Sequence, residues 1–112
     1  AIEIDKKQFF DAIDRVATIV TEKHKGIKLK IANNLINLSV EAMDGSFASD
    51  EVAVNYSAEE IETAFNSRYL LDILLQITSA NVIIKLKDGN SPTILQGEEE
   101  KDSLFVLMPI RI

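Results

Sequence analysis

The chain has 112 residues, 46% of them hydrophobic and 27% charged, with a formal net charge of −6 and no cysteine. That length buries roughly two-thirds of the unfolded surface, enough for one core over residues 1–112, and the composition excludes disordered, low-complexity and disulfide-stapled classes. No apolar run approaches the ~18 residues of a membrane span, no signal-peptide pattern is present, and the lack of cysteine fits a cytoplasmic protein.

Ile2 and Ile4 alternate with polar neighbours, a short strand. The chain begins at Ala1, without a Met, directly on this pattern, which raises the reading of a domain cut from something longer. Asp5 stands three residues before Gln8, a capping-box arrangement that opens a helix. Phe9, Phe10, Ile13, Val16, Ala17 and Val20 then form one apolar stripe, so the spacing predicts a helix over 6–20 with a single buried face. Strands are predicted over 26–33, 35–42 and 50–56, with turns at Asn33-Asn34 and around Gly45.

The order then repeats. A strand over 60–65 leads into Asn66-Ser67, both good N-cap residues, and a helix over 67–77 with Leu70, Leu71, Leu74 and Leu75 on its stripe. Strands follow over 81–87, 92–96 and 103–108, separated by DGNSP and GEEEKD turns. The repetition is also literal. IDKKQFFDAI and FNSRYLLDIL align without gaps, pairing Asp5 with Asn66, Lys7 with Arg68 and Asp11 with Asp72, and IKLK occurs at 27–30 and 84–87. The expected fold is α+β, two strand–helix–three-strand repeats with two helices side by side on one face of a two-part antiparallel sheet.

The acidic balance argues against nucleic acid at first. Its distribution qualifies that: residues 23–30 (KHKGIKLK) hold four lysines and no acid, whereas 31–67 hold seven acids and no Lys or Arg. The plainer reading of the basic stretch is a solvated hairpin face. His24 is the only histidine, and a surface turn position suits it better than metal ligation. No nucleophile elbow, phosphate loop, dinucleotide fingerprint or calcium-loop spacing occurs. An enzyme reading has no constellation to stand on, and no metal or other cofactor is expected. The outer helix faces carry Lys6, Lys7, Asp11, Asp14, Arg15 and Thr18, with Arg68, Asp72 and Gln76 on the second helix. This is ordinary solvated surface or a loose, sequence-independent phosphate contact.

Seven of the last nine residues are Leu, Phe, Val, Met or Ile, interrupted by Pro109 and Arg111. Leu104 and Val106 point one way and Phe105 and Leu107 the other, which suggests a strand covered on both sides. Pro109 breaks the ladder. Met108, Ile110 and Ile112 therefore either fold back over the core or stand open as an apolar groove for a partner's peptide.

FNSRYLLDIL, SPTIL and the terminal VLMPIRI closely resemble the third, C-terminal domain of the bacterial DNA polymerase III beta subunit, the sliding clamp, and the likeness spans essentially the whole chain. The resemblance implies a non-catalytic processivity module, one of three domains in each protomer of a head-to-tail homodimer that rings duplex DNA, with helices lining the hole. It implies DNA contacts at Lys25 and Lys28, with Lys7, Arg15 and Arg68 added from helix position. It also implies a pocket for Gln-Leu-x-Leu-Phe motifs of polymerases, clamp loader and repair proteins, built from Asn66, Tyr69, Pro92, Val106, Met108, Pro109, Ile110 and Arg111. Pro92 and Ile110 stand at pocket positions that vary in the family, and the pocket's second wall belongs to a middle domain that these residues do not include. Ile19 and Val20 are the expected contact edge between protomers. The alternative is a free-standing interaction domain of clamp fold that forms no ring; a small acidic hydrolase is the weakest reading.

Overall fold

The computed structural model describes residues 2–18, 26–41, 45, 47–99 and 103–110. In chain order the elements are β1 (Ile2–Asp5), α1 (Lys6–Ala17), β2 (Gly26–Ala32), β3 (Leu35–Glu41), β4 (Phe47–Ala53), β5 (Ile61–Asn66), α2 (Ser67–Gln76), β6 (Asn81–Lys85), β7 (Thr93–Gly97) and β8 (Phe105–Leu107). The strand–helix–three-strand unit therefore occurs twice, as the internal alignment predicts.

The two units exchange their first strands. One antiparallel sheet runs β1-β6-β7-β8 and the other β4-β3-β2-β5. Asp5 at the end of β1 pairs with Asn81 at the start of β6, and Asn66 at the end of β5 pairs with Gly26 at the start of β2. Both of these strand-end residues are also helix caps. Asp5 accepts the Gln8 N–H at 2.9 Å, and Asn66 Oδ1 accepts those of Arg68 and Tyr69 at 3.0 and 3.2 Å, so each orphaned helix N-terminus is satisfied where its strand ends.

The helices pack side by side over one face of the sheets. Phe9, Ile13 and Val16 of α1 and Leu70 and Leu74 of α2 are buried, with Ile77 just past the end of α2. Below them lie Ile27, Leu29, Ile31, Ile36 and Leu38 of one sheet and Ile2, Ile4, Val82, Ile84 and Leu95 of the other. Lys6 ties the helices together: its ammonium donates to the Ile77 carbonyl at 2.6 Å, and its backbone N–H donates to that of Ala80 at 2.9 Å. A cation at the end of α2 suits the partial negative charge there.

Several sequence expectations are corrected. Leu75 lies off the buried stripe and is 67% exposed; Ile73 and Ile77 complete the apolar face instead. β4 begins and ends three residues earlier than predicted, because the chain after Ala53 leaves the ladder to wrap the β2–β3 turn. There the Val54 N–H donates to the Asn34 carbonyl, the Asn34 N–H to the Tyr56 carbonyl and the Tyr56 N–H to Asn34 Oδ1. Asn33 and Asn34 hold positive φ of 52° and 65°, the conformation a tight hairpin demands and Asn tolerates. β8 is three residues long and is not covered on both faces: Leu107 is buried and Phe105 half-buried, but Leu104 and Val106 are exposed. α1 is described to Ala17 with Thr18 as its C-cap; the predicted extension over 19–20 lies outside the described residues.

Two contacts brace the margins of the sheet that contains α1's neighbours. At one margin the β6–β7 loop presses on β5, where Thr63 Oγ1 donates to the Gly89 carbonyl at 3.0 Å. A Cβ at Gly89 would lie 1.9 Å from the Glu62 carbonyl oxygen, so glycine is required by close backbone approach. At the other margin Arg15 of α1 donates from Nε and Nη2 to Asp50 Oδ2 of β4, at 2.9 and 2.7 Å. This guanidinium, with a further hydrogen bond from the Glu51 N–H, holds the Asp50 carboxyl below its usual range.

Two outcomes follow from these braces. Gly89→Ala pushes the β6–β7 loop off β5 and lowers stability by about 1–3 kcal/mol, read from the denaturant midpoint. Because the Asp50 pKa is depressed on folding, its stabilisation is complete above the ordinary value of 3.8 and is lost as pH falls through the lower folded value. Asp50→Asn should therefore flatten the acid limb of a stability–pH profile below about pH 4 and leave the slope near neutrality unchanged.

Candidate peptide-binding end and helix face

The tail residues gather where the two sheets meet. Thr93 pairs with Leu107, so β7 and β8 leave the ladder together with Pro92 and Met108 side by side. The chain then crosses to the other sheet, and the Ile110 N–H donates to the Ala64 carbonyl on β5 at 2.8 Å. Ala64 stands two residues before Asn66, the cap of α2, which carries Tyr69 in its first turn. β8 and α2 are also in contact. Of the eight residues expected to form the pocket, seven are described: Asn66 ends β5, Tyr69 is in the first turn of α2, Pro92 precedes β7, Val106 is on β8, and Met108, Pro109 and Ile110 are on the tail; Arg111 lies outside the described residues.

The exposure pattern separates the two readings of the tail. Tyr69 is 61% exposed, Val106 62% and Met108 59%, while Pro109, next in the chain after Met108, is half-buried. The tail does not cap the core with these side chains. Its backbone is fixed at both ends, by the β7–β8 ladder and by Ala64, and its apolar side chains face solvent. Single exposed apolar residues are ordinary on a surface; three on adjoining elements, α2, β8 and the tail, make this end the candidate contact surface.

Continuous with Ile110 is an open cleft of about 410 Å³ lined by Lys28, Glu62, Thr63, Ala64, Gly89, Asn90 and Ile110. The sequence gives no notice of Glu62 or Ala64 as neighbours of the tail. The available signal is indirect, the glycine of DGNSP, which marks a close approach without naming the strand approached.

The basic residues are divided between faces. In β2, Ile27, Leu29 and Ile31 are buried and Lys28 and Lys30 exposed, so both lysines lie on the sheet face turned away from the helices. Lys28 Nζ meets Glu62 Oε1 at 2.6 Å, and Lys30 Nζ meets Glu60 Oε1 at 3.7 Å. Hydrogen bonding and charge attraction within the first pair raise the Lys28 pKa and lower that of Glu62. Lys28, expected as a DNA contact from its basic turn, therefore lies on a different face from Lys7, Arg15 and Arg68, which were expected from helix position. Lys6 is likewise drawn off the helix crest by Ile77, and Arg15 by Asp50. Lys7 and Arg68 are exposed on the crest, and no described carboxylate pairs with either. Lys25, His24, Ile19 and Val20 lie outside the described residues.

Among the described residues no group of three or more His, Cys, Asp or Glu side chains could hold a metal ion, and no helix is long and apolar enough to cross a membrane.

Comparison with known proteins identifies the family. The family model for the DNA polymerase III beta subunit, C-terminal domain, matches residues 1–111. The beta sliding clamp of Caulobacter vibrioides is 38% identical over 111 residues, covering 99% of this chain and 30% of that protein. Caulobacter crescentus pol III beta superposes with a TM-score of 0.96 at 38% identity, over 99% of this chain and 30% of that one. A sliding clamp from Bartonella birtlesii bound to griselimycin superposes with a TM-score of 0.93 at 35% identity, again over 99% and 30%. The chain spans less than a third of the length of these relatives. It belongs to the family formed by the C-terminal domain of the DNA polymerase III beta subunit.

Proposed function

We propose that this domain is the C-terminal third of a sliding clamp, a cytoplasmic, non-catalytic processivity factor of the replicative polymerase. In this reading the full-length protein joins head to tail with a second copy around duplex DNA, slides without sequence specificity, and receives short motifs of polymerases, clamp loader and repair proteins at its tail. The observation that supports it most is the fixed tail backbone with Tyr69, Val106 and Met108 standing open beside it. Such a surface takes a partner's Leu and Phe as anchors, with Met adapting to their shape.

The division of charge supports the DNA side of the reading. The outer sheet face neutralises its lysines with Glu60 and Glu62, while the helix crest presents Lys7 and Arg68. A few cations on an otherwise acidic body attract phosphate weakly, as a ring that must slide requires. For self-association, β4 is an edge strand among the described strands, with Phe47 exposed, and sheet edges are ready templates for a second chain.

The test is a titration of a labelled Gln-Leu-x-Leu-Phe peptide. This domain alone, which supplies one wall of the pocket, should bind weakly but saturably. Met108→Ala combined with Tyr69→Ala should weaken binding by about tenfold or more, since truncating central apolar anchors commonly costs over ~1 kcal/mol each. Restoring the upstream domain should tighten it. Absence of binding even with that domain restored, or binding that the double variant retains, counts against the tail as the partner site.

A further inference from the structure

We propose that Asp50 limits the hold of this domain on DNA by keeping the Arg15 guanidinium away from phosphate. The inference rests on the reading, given above, that the helix crest faces DNA.

Arg15 sits in the last turn of α1 with its side chain 63% exposed, so nothing in the packing hides it from a polyanion. Yet its Nε and Nη2 both point to one oxygen of Asp50, at 2.9 and 2.7 Å. That carboxylate is itself fixed. Its other oxygen accepts the Glu51 N–H at 2.8 Å, and it stands on the same row of β4 as Ala48 and Val52, whose side chains are buried. Asp50 is 29% exposed, so the pair is anchored on the sheet side. Asp11 and Glu51 add two more carboxylates to the walls of the 260 Å³ groove that Arg15 helps line.

A guanidinium bound twice to a carboxylate must release it before binding phosphate in the same fork geometry. An exposed pair of this kind is weak, so it restrains Arg15 without locking it. The crest therefore holds one cation in reserve, unlike Lys7 and Arg68, which no described carboxylate engages. Asp50 acts here as a positioning residue: it sets how much positive charge the crest shows to DNA.

The experiment uses the full-length protein that carries this domain, closed on circular DNA, with its diffusion along the duplex tracked across a salt series. Asp50→Asn should slow diffusion about two- to fivefold at low salt and steepen the salt dependence by about one phosphate contact per copy of the domain. Asp50→Glu should restore the parent behaviour. The slowing should vanish when Asp50→Asn is compared with its parent in an Arg15→Gln background, where there is no guanidinium to release. An equal effect in that background would mean that only a negative charge has been lost, and would overturn the proposal; so would unchanged diffusion in Asp50→Asn. A Lys7→Gln, Arg68→Gln variant run alongside reports on the underlying reading. If it diffuses like the parent, the helix crest does not face DNA and the failure lies there, whereas faster diffusion with an inert Asp50→Asn isolates the failure to Asp50.

Discussion

The exchange of first strands between the two repeats is the constraint on which the rest of the architecture depends. β1 completes the sheet of the second unit, and β5 completes that of the first. Neither unit can then satisfy its own backbone, because each lends a strand whose hydrogen bonds are made elsewhere. The exchange also fixes the helices. Each begins where an exchanged strand ends, at Asp5 or Asn66, so both enter the same side of the paired sheets and bury their stripes against one shared core. One face of the molecule becomes helical crest and the opposite face bare sheet.

That two-faced construction decides which charges matter. A net charge of −6 describes the whole chain, but a ligand meets one face at a time. On the bare sheet, Lys28 and Lys30 of β2 reach diagonally to Glu62 of β5 and to Glu60 just before it, and opposite charges so placed offset one another's field. On the crest, cations and acids are interspersed along the helices, and among the described residues Arg15 alone pairs with a carboxylate on a different element. Residues that look equivalent in sequence, such as Lys28 and Lys7, thus have different electrostatic surroundings.

What was legible in the sequence was local. The stripe of α1, the caps at Asp5 and Asn66, and the turn at Asn33-Asn34 each depend on residues within a few positions of one another. The duplication was legible too, since it is written as aligned letters. Strand exchange was not, because a strand reads the same whichever sheet it joins. The shift of β4 was hidden because Val54 and Tyr56 are strand-like in type but are captured by Asn34, some twenty positions away. The face that Lys28 occupies was hidden for a related reason. Strand alternation assigns it the face opposite Leu29, but only the packing of α1 shows which of those faces the helices cover. Leu75 lies one step past the flank of its stripe, where periodicity alone cannot distinguish a buried edge from an exposed one.

The tail asks why exposed apolar side chains persist at the end of an otherwise well-covered chain. Leu107 is buried because its strand row faces the helices; Val106, on the alternate row, is covered by no described element and is exposed. Pro109 has no N–H to extend the β7–β8 ladder, and the next donor, Ile110, goes to Ala64 on the other sheet. Met108 and Pro109 therefore bridge two anchored points, and the chain cannot fold its apolar side chains inward without breaking one of them. The arrangement leaves unrealised roughly 25 cal/mol for each Å² of apolar surface that a partner could cover. Because the backbone beneath is already ordered, little of that gain is lost to conformational entropy on binding. A surface that is apolar, exposed and tied at two points of its backbone is suited to association rather than self-burial, and Pro92 and Pro109, neither with an N–H to extend the ladder, both end the β7–β8 pairing there.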